Sequence, residues 1–309
     1  MPPNELSPSV RLSGSPLEPL SDPIVIAAFR GWHDGTGSAV AAIRYLRTEW
    51  GAQEVADLDP ERFYDLTVAR PHVQLRGDER IIRWPGTRFY VAPHVDGARD
   101  VVLLAGREPS LAWRSYCEAI TAVMGQLGAE TFIALGSRPA LVPHTRPALL
   151  GLADADPGFE ALLGLEANRT GYQGPTGIQT VLALLLRAQG VRTARLTVRI
   201  PSYVTAGPNP MGALALVEKL EPATGRHTQL GALHTSVAEF ERQTEAALDE
   251  LDNPGQMRSQ IADMERAYDE NAPSPTPAIR EAELPSSESL IGDIEELLRE
   301  QRRGPEASS

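Results

Sequence analysis

Short apolar runs alternate with helix-type patterns along most of the chain. Five runs have the length and the apolar, β-branched composition of strands: residues 24–29, 89–92, 101–105, 131–136 and 195–200. Apolar positions repeat at helical spacing in residues 38–50, 110–127 and 178–189. Residues 101–105 and 132–135 are continuously apolar, which is typical of central strands that are covered on both faces. The alternation predicts an α/β fold in which helices flank a largely parallel sheet.

The pattern changes in two places. Residues 63–84 contain three short apolar runs, which predict an antiparallel meander with strands at 63–68, 73–75 and 81–84. From about His234 the chain becomes strongly charged and carries apolar side chains at helical spacing in residues 236–251 and 257–268. An Asn253-Pro254-Gly255 break separates them, so we expect a hairpin of two amphipathic helices.

A last apolar stripe lies near the end of the chain. It has the i, i+1, i+4, i+7, i+8 spacing of one helix face and consists of Leu290, Ile291, Ile294, Leu297 and Leu298. A helix this short is marginal alone in water, so we expect it to dock on another surface. The first expectation for that surface is the body of the chain or a neighbouring subunit, and a groove on a separate partner is the alternative.

These patterns divide the chain into six segments. We predict a flexible N-terminal arm at 1–20, an α/β core domain at 21–232, a helical extension at 233–270, a Pro-rich linker at 271–285, the short amphipathic docking helix at 286–303 and a disordered end at 304–309. The linker assignment rests on three prolines within residues 271–278.

The composition is that of an ordinary globular protein. The chain has 309 residues, of which 42% are hydrophobic and 23% are charged. A lone cysteine, Cys117, excludes a disulfide framework and a thiolate zinc site, and it suits a reducing cytoplasm. We find neither a secretory signal pattern nor an apolar run of the ~20 residues that span a bilayer. We therefore expect a cytoplasmic protein with no membrane partner.

The charge is concentrated at one end of the chain. The formal net charge is −12, and residues 239–309 account for −11 of it. Lys219 is the only lysine, so the other 28 basic side chains are arginines. The arginines of the body are scattered along the sequence, which gives no basic patch for a nucleic acid. We therefore expect no nucleic-acid partner.

The glycine-rich turn after the first predicted strand contains two candidate ligand-binding or partner-binding residues, His33 and Asp34. Ligands of parallel sheets bind at the carboxyl ends of the strands, where helix N-termini present free N–H groups. The structural alternative is a tight turn in which Asp34 caps the following helix.

Two further turns carry candidates of the same kind. Thr176 and Gly177 precede a helix, where open backbone N–H groups can bind an anion; the alternative is a helix start without a ligand. Arg138 follows a central strand, and His144 and Arg146 lie on a proline-bounded loop. These side chains can bind an anion or shuttle a proton, but arginine on rigid loops is also favoured at interfaces, which is our first expectation.

The remaining polar residues form no recognised catalytic motif. Ser137 lacks the small residues of a nucleophile elbow, and the six histidines show no metal-ligand spacing. Cys117 is expected to be a buried core residue. Glu108 and Glu166 follow predicted strands, as carboxylates do in many α/β proteins. We assign no catalytic residue, no metal and no cofactor.

Five short motifs occur in a fixed order: RGWHDG at 30–35, GREP at 106–109 with Trp113, PHTRP at 143–147, GPTGI at 174–178 and PSYV at 201–204. Together they resemble the proteasome assembly chaperone 2 family in its actinobacterial branch, over about residues 22–220. The resemblance implies a phosphorylase/hydrolase-like α/β fold, a homo-oligomer with a trimer suspected, and a chaperone or scaffold role around the 20S proteasome. The family offers no agreed catalytic residues to carry over.

The end of the chain departs from that family. Proteasome-binding members can use a C-terminal tail of the form hydrophobic-tyrosine-any, whereas this chain ends in Pro-Glu-Ala-Ser-Ser at 305–309. We therefore expect any proteasome contact to use the body or the helix at 286–303.

Two functional hypotheses follow. The first is a non-enzymatic oligomeric assembly chaperone or protein-interaction scaffold, with proteasome subunits as the expected partners. The alternative is a small-molecule hydrolase or phosphorylase-like enzyme that binds a nucleoside or phosphate. In that case Asp34, Arg138, His144, Arg146 and the turn at 174–178 would meet in one pocket.

Overall fold

A computed structural model describes residues 6–169, 171–204 and 207–270. Its strands are β1 Val10–Leu12, β2 Ile24–Arg30, β3 Gln53–Leu58, β4 His72–Arg76, β5 Glu79–Arg83, β6 Arg88–Val91, β7 Val101–Arg107, β8 Thr131–Ala140, β9 Leu150–Ala153, β10 Ala167–Asn168 and β11 Arg192–Pro201. Its helices are α1 Ser38–Glu49, α2 Pro60–Phe63, α3 Trp113–Gln126, α4 Phe159–Leu163, α5 Ile178–Ala188, α6 Pro210–Thr224, α7 Gly231–Asp249 and α8 Pro254–Glu270.

One nine-stranded sheet organises the fold, in the order β1-β3-β6-β7-β2-β8-β11-β9-β10. Its long central strands β7, β2, β8 and β11 are parallel. Antiparallel pairings add β6, β3 and β1 on one side and β9 on the other. The predicted α/β class, with a largely parallel sheet between helices, is confirmed.

Both faces of the central strands are buried because neighbouring residues of a strand point to opposite faces. Ile24 and Ile26 of β2 pack with α1 and α6 on one face, which we call the α1 face. Val25 and Ala27 pack with α3 and α5 on the other, the α3 face. This two-sided burial explains the continuously apolar runs in the sequence.

Residues 63–84 differ from the predicted meander. Phe63 ends α2, and the next residues turn because the Asp65 carboxylate accepts a hydrogen bond from the Thr67 backbone N–H at 2.8 Å. The predicted strand at 63–68 is therefore wrong. Strands β4 and β5 do form, but as a separate two-stranded antiparallel sheet.

Two other segments add to the sequence-based picture. Part of the predicted N-terminal arm forms β1, which pairs with β3. Helices α7 and α8 occupy the predicted helical extension, with Pro254 at the first position of α8. The predicted linker, the docking helix with Leu290, Ile291, Ile294, Leu297 and Leu298, and the predicted disordered end lie outside the described residues.

Candidate functional site

Asp34 is fully buried in the turn that follows β2. Its carboxylate accepts hydrogen bonds from the backbone N–H groups of Ala39 and Val40, both at 3.0 Å, in the first turn of α1. The Ser137 hydroxyl on β8 donates to Oδ1 of the same carboxylate. Burial raises the pKa of Asp34, and these hydrogen bonds oppose the rise. Asp34 thus caps α1, as the structural alternative for this turn predicted, and its side chain is closed to a ligand.

A closed network of hydroxyl groups continues from Asp34. Thr36 Oγ1 lies 2.8 Å from Ser137 Oγ and 3.3 Å from Ser38 Oγ. The Ser137 backbone N–H donates to the carbonyl of His33 at 2.8 Å, which joins the β2 turn to β8. Within the described residues the partners of the Ser137 hydroxyl are Asp34 and Thr36, and neither is an imidazole base. The serine therefore lacks the activation that a nucleophile needs.

His33 points away from this network and packs against the start of α5. Its Nε2 lies 3.3 Å from Thr180 Oγ1. A Cβ on Gly177 would lie 2.9 Å from His33 Cδ2, so only glycine lets the ring and the helix meet this closely. Burial, followed by the positive charge of Arg195, lowers the pKa of His33 to about 4. The ring is therefore neutral at neutral pH.

Glu108, which directly follows β7, stabilises the contact between the β2 turn and the start of α5. Its Oε1 accepts a hydrogen bond from the backbone N–H of Ile178 at 2.7 Å, and its Oε2 accepts one from Trp32 at 2.9 Å. The N–H group at the start of α5, where an anion was one expectation, thus already has a carboxylate partner. Thr176 lies exposed beside this contact. Glu108 was only one of several strand-end carboxylates in the sequence, and its partners depend on the packing of β7 beside β2.

Arg138 is exposed on β8 and pairs in register with Arg199 of β11. Side chains in register on neighbouring strands project to the same face, here the α3 face. Burial and then the nearby charge of Arg138 lower the pKa of Arg199. Neither guanidinium has a carboxylate partner among the described residues. The two side chains are therefore a local concentration of positive charge.

His144 is fully buried between the loop after β8 and helix α7. Its Nδ1 lies 2.8 Å from Tyr203 Oη, and its Nε2 lies 3.0 Å from Glu245 Oε1. A carboxylate only accepts hydrogen bonds, so Nε2 carries a proton and donates it to Glu245, while Nδ1 shares a hydrogen bond with the tyrosine hydroxyl. Burial raises the pKa of Tyr203 to about 12, so the hydroxyl keeps its proton at neutral pH.

Arg146 extends this contact to α8. Its Nε and Nη2 each donate to the carboxylate of Asp269 at 2.8 Å, and the neighbouring Thr145 hydroxyl donates to Glu265. Such a bidentate pair fixes orientation as well as distance. His144 and Arg146 thus join the body to α7 and α8. Their partners in the described residues are separate from those of Asp34.

A cleft beside β2 and β7 gathers arginines that are far apart in the sequence. Its volume is about 320 Å³, and seven arginines line it: Arg30, Arg44, Arg47, Arg70, Arg83, Arg88 and Arg107. No carboxylate is among the lining residues in the part of the chain that the structure describes. The expectation that the arginines of the body are scattered is therefore corrected. They converge because β2, β6 and β7 are neighbours and the β4–β5 hairpin supplies one wall.

The β4–β5 hairpin has two different faces. Val73 and Ile82 pair in register and are each 58% exposed, and Leu75 beside them is 73% exposed. The neighbouring register pair, His72 and Arg83, points to the opposite face and lines the arginine cleft. The outer face thus presents three apolar side chains beside Arg80, the register partner of Leu75, and the inner face turns two basic side chains toward the cleft. Exposed apolar patches of this kind mark interaction surfaces.

The described residues contain neither a cluster of metal-ligating side chains nor a helix that could cross a membrane. Across residues 6–169, 171–204 and 207–270, no three His, Cys, Asp or Glu side chains lie close enough together to hold a metal ion. Every helix in these ranges is too short or too polar to cross a bilayer. Cys117 is fully buried, and burial raises the pKa of its thiol to about 12. It is the buried core cysteine that the sequence predicted.

Comparison with known proteins identifies the family of this chain. The model of the PAC2 family matches residues 28–248. A PAC2 family protein from Streptomyces avermitilis is 36% identical with a TM-score of 0.68, and the match covers 79% of this chain and 99% of that chain. The Mycobacterium tuberculosis proteasome-assembly chaperone homologue Rv2125 is 30% identical with a TM-score of 0.66, covering 75% of this chain and 98% of that chain.

A more distant likeness extends the fold to archaea. PbaB from Pyrococcus furiosus, an archaeal proteasome activator, is 16% identical with a TM-score of 0.58, and the match covers 77% of this chain and 97% of that chain. At this identity the likeness concerns the fold alone. The comparison with curated proteins gave no match.

Proposed function

Because the chain belongs to the PAC2 family, we propose that it is a non-enzymatic, oligomeric assembly chaperone or protein-interaction scaffold with proteasome-related partners. The observation that carries the proposal is the 30% identity to the Mycobacterium tuberculosis proteasome-assembly chaperone homologue, over 98% of that chain. A single cysteine, which is free and buried, is typical of proteins from a reducing compartment, and this supports our proposal of a cytoplasmic location.

The hydrogen bonds of the candidate site residues support a role without catalysis. Asp34 and Glu108 hold backbone N–H groups, and His144 is buried between a tyrosine and a glutamate. Nucleophilic catalysis of the triad type needs a nucleophile, a base and a group that orients the base around one open space. The hydrogen bonds of these residues instead join strands, loops and helices to each other.

The apolar outer face of the β4–β5 hairpin supports an oligomer. Two-stranded hairpins are marginally stable alone in water, and this one exposes Val73, Leu75 and Ile82. Covering this face would bury apolar area and stabilise the hairpin at the same time. We propose that a second copy of the chain covers it.

The proteasome arm of the proposal is tested with purified full-length protein and purified 20S subunits from the same organism. We expect the protein to co-migrate with unassembled or partly assembled subunits and to change the rate at which complete 20S particles appear. Lack of co-migration at both low and moderate salt, together with an unchanged assembly rate, would refute the proteasome-related role.

The oligomer arm is tested by the mass of the particle in solution. The monomer has a mass of 33.4 kDa, and light scattering after gel filtration should give a multiple of it. Val73→Asp places a charge on the apolar face and is expected to shift the mass to that of a monomer. Gln74→Asp, the next residue on the opposite face, is the matched control and should keep the oligomer. A monomeric wild-type protein, or a Val73→Asp variant of unchanged mass, would contradict this arm.

A further inference from the structure

We propose that the arginine cleft between β2, β7 and the β4–β5 hairpin binds a ligand that carries two or more phosphate groups. Seven arginines line this cleft of about 320 Å³. The site is separate from the apolar hairpin face and from the protein-binding role proposed above, and the inference does not depend on either.

The positive charge of the cleft is only weakly compensated by the protein. Arg88 has a carboxylate 3.7 Å away, on Glu54, and Arg47 packs over the Tyr90 ring with 4.9 Å to its centroid. The described residues give no ion pair to the other five lining arginines, which are Arg30, Arg44, Arg70, Arg83 and Arg107. The charge of Arg30 does act on the buried Asp34 carboxylate and lowers its pKa, but the two groups form no ion pair. Like charges held close together repel, so an anion in the cleft lowers the energy of the folded state.

Arg30 and Arg107 are the two lining arginines that belong to the central sheet strands β2 and β7. They are register partners at the carboxyl ends of the adjacent parallel strands β2 and β7, and both belong to the α1 face. Like charges directly beside each other in a sheet destabilise the pairing. The guanidinium of Arg30 lies over Gly37, where a Cβ would collide with it. The pairing of β2 with β7 therefore places two arginines next to each other on one face, and two planar, multidentate donors suit phosphate oxygens.

The cleft lies where parallel sheets bind ligands. The chain leaves β2 for α1 on one face and leaves β7 for α3 on the other. Diverging connections from adjacent strands open a crevice outside their carboxyl ends. Arg30 and Arg107 stand at the opening of that crevice, and the inner face of the hairpin covers it with His72 and Arg83.

The size of the cleft favours phosphates over an acidic peptide. A volume of about 320 Å³ is at the lower end for a small-molecule pocket. A phosphate chain concentrates several negative charges within such a space. A peptide adds a backbone unit and a side-chain stem for each carboxylate, so it would bring fewer charges into the same volume.

Calorimetric titration of the full chain with tripolyphosphate, without magnesium, tests the proposal. We expect saturable binding that the double variant Arg30→Gln/Arg107→Gln weakens by at least about tenfold, since two charge-assisted contacts are lost. Arg138→Gln/Arg199→Gln is the matched control, because it removes an equivalent register pair and the same charge from the opposite face. Its affinity should stay within about twofold of wild type, because those side chains lie outside the cleft.

The variants must also be shown to fold. The double variant removes the repulsion between Arg30 and Arg107 but also the attraction of Arg30 for the Asp34 carboxylate, so its melting temperature without ligand should stay close to that of wild type. If this pair does not fold, Arg44→Gln on the exposed side of α1 takes its place, and it too should weaken binding.

A second titration, with a nucleoside triphosphate, distinguishes the sources of the phosphate chain. Equal affinity for both probes means that the phosphates suffice, and tighter binding of the nucleotide means that the cleft also contacts the nucleoside; either result supports the site. Three results would overturn it: no saturable binding, equal weakening by the two double variants, or tighter binding of a glutamate-rich peptide than of tripolyphosphate.

Discussion

Replacing His33 with glutamine should remove a pH dependence from the stability of this fold. The ring is packed between Thr180 and Gly177 at the start of α5. Its pKa is lowered to about 4, first by burial and then by the charge of Arg195, while Glu108 acts in the opposite direction. Glutamine keeps a polar group that can reach Thr180, but it does not titrate.

The size of the effect follows from proton linkage. A histidine in the unfolded chain has a pKa of 6.5, so between pH 6.5 and about 4 the unfolded state binds more protons than the folded state. Stability due to His33 is therefore fully present above pH 6.5 and is lost as the pH falls through this window. The shift corresponds to ~2 kcal/mol at about pH 5. Since the ring is partly exposed, solvent screening reduces this to ~1 kcal/mol.

Urea unfolding at several pH values measures this directly. Between about pH 7 and pH 5 the free energy of unfolding of the wild type should fall by ~1 kcal/mol more than that of His33→Gln. Arg195→Gln keeps the histidine and removes the second cause of its shift, so this variant should show a smaller dependence than wild type. Parallel curves for wild type and His33→Gln across the window would refute the reasoning.

Three other substitutions test the contacts around the site. Gly177→Ala should lower the free energy of unfolding by ~1–3 kcal/mol because the new Cβ meets three neighbours at 2.9–3.0 Å; Gly171→Ala, with open space around it, should leave it unchanged. His144→Ala removes a fully buried ring with both of its hydrogen bonds and should cost ~2–4 kcal/mol in urea unfolding. Asp269→Asn breaks the bidentate pair with Arg146, so the amides of α8 should exchange faster with deuterium while those of β8 do not.

The centre of the fold was predictable from the sequence because burial leaves a local trace there. Strands such as β7 are covered on both faces and read as continuous apolar runs. Strand β3 was missed because Gln53, Glu54 and Asp57 interrupt its apolar pattern, although Ala56 and Leu58 are fully buried. Residues 63–68 were mistaken for a strand because apolar side chains there pack from a turn.

The candidate site shows the same division between local and distant interactions. The cap on α1 was foreseeable because Asp34 lies within six residues of Ala39 and Val40, whose backbone N–H groups donate to its carboxylate. The contact of His144 with Glu245 spans 101 positions, and that of Glu108 with Ile178 spans 70. The arginine cleft depends in the same way on which strands are neighbours. Such distant pairs cannot be predicted from residue spacing alone, because they depend on the order of the strands in the sheet.

The two faces of the β4–β5 hairpin have a joint consequence. Only one layer of backbone separates the arginines of the cleft from the apolar side chains outside. A bound anion that draws Arg83 inward and a partner that contacts Ile82 would each restrict the motion of the same hairpin. Whichever of the two binds second then causes a smaller loss of conformational entropy. Such coupling is reciprocal. Anion binding should therefore raise the affinity of self-association by the same factor by which self-association raises the affinity for the anion.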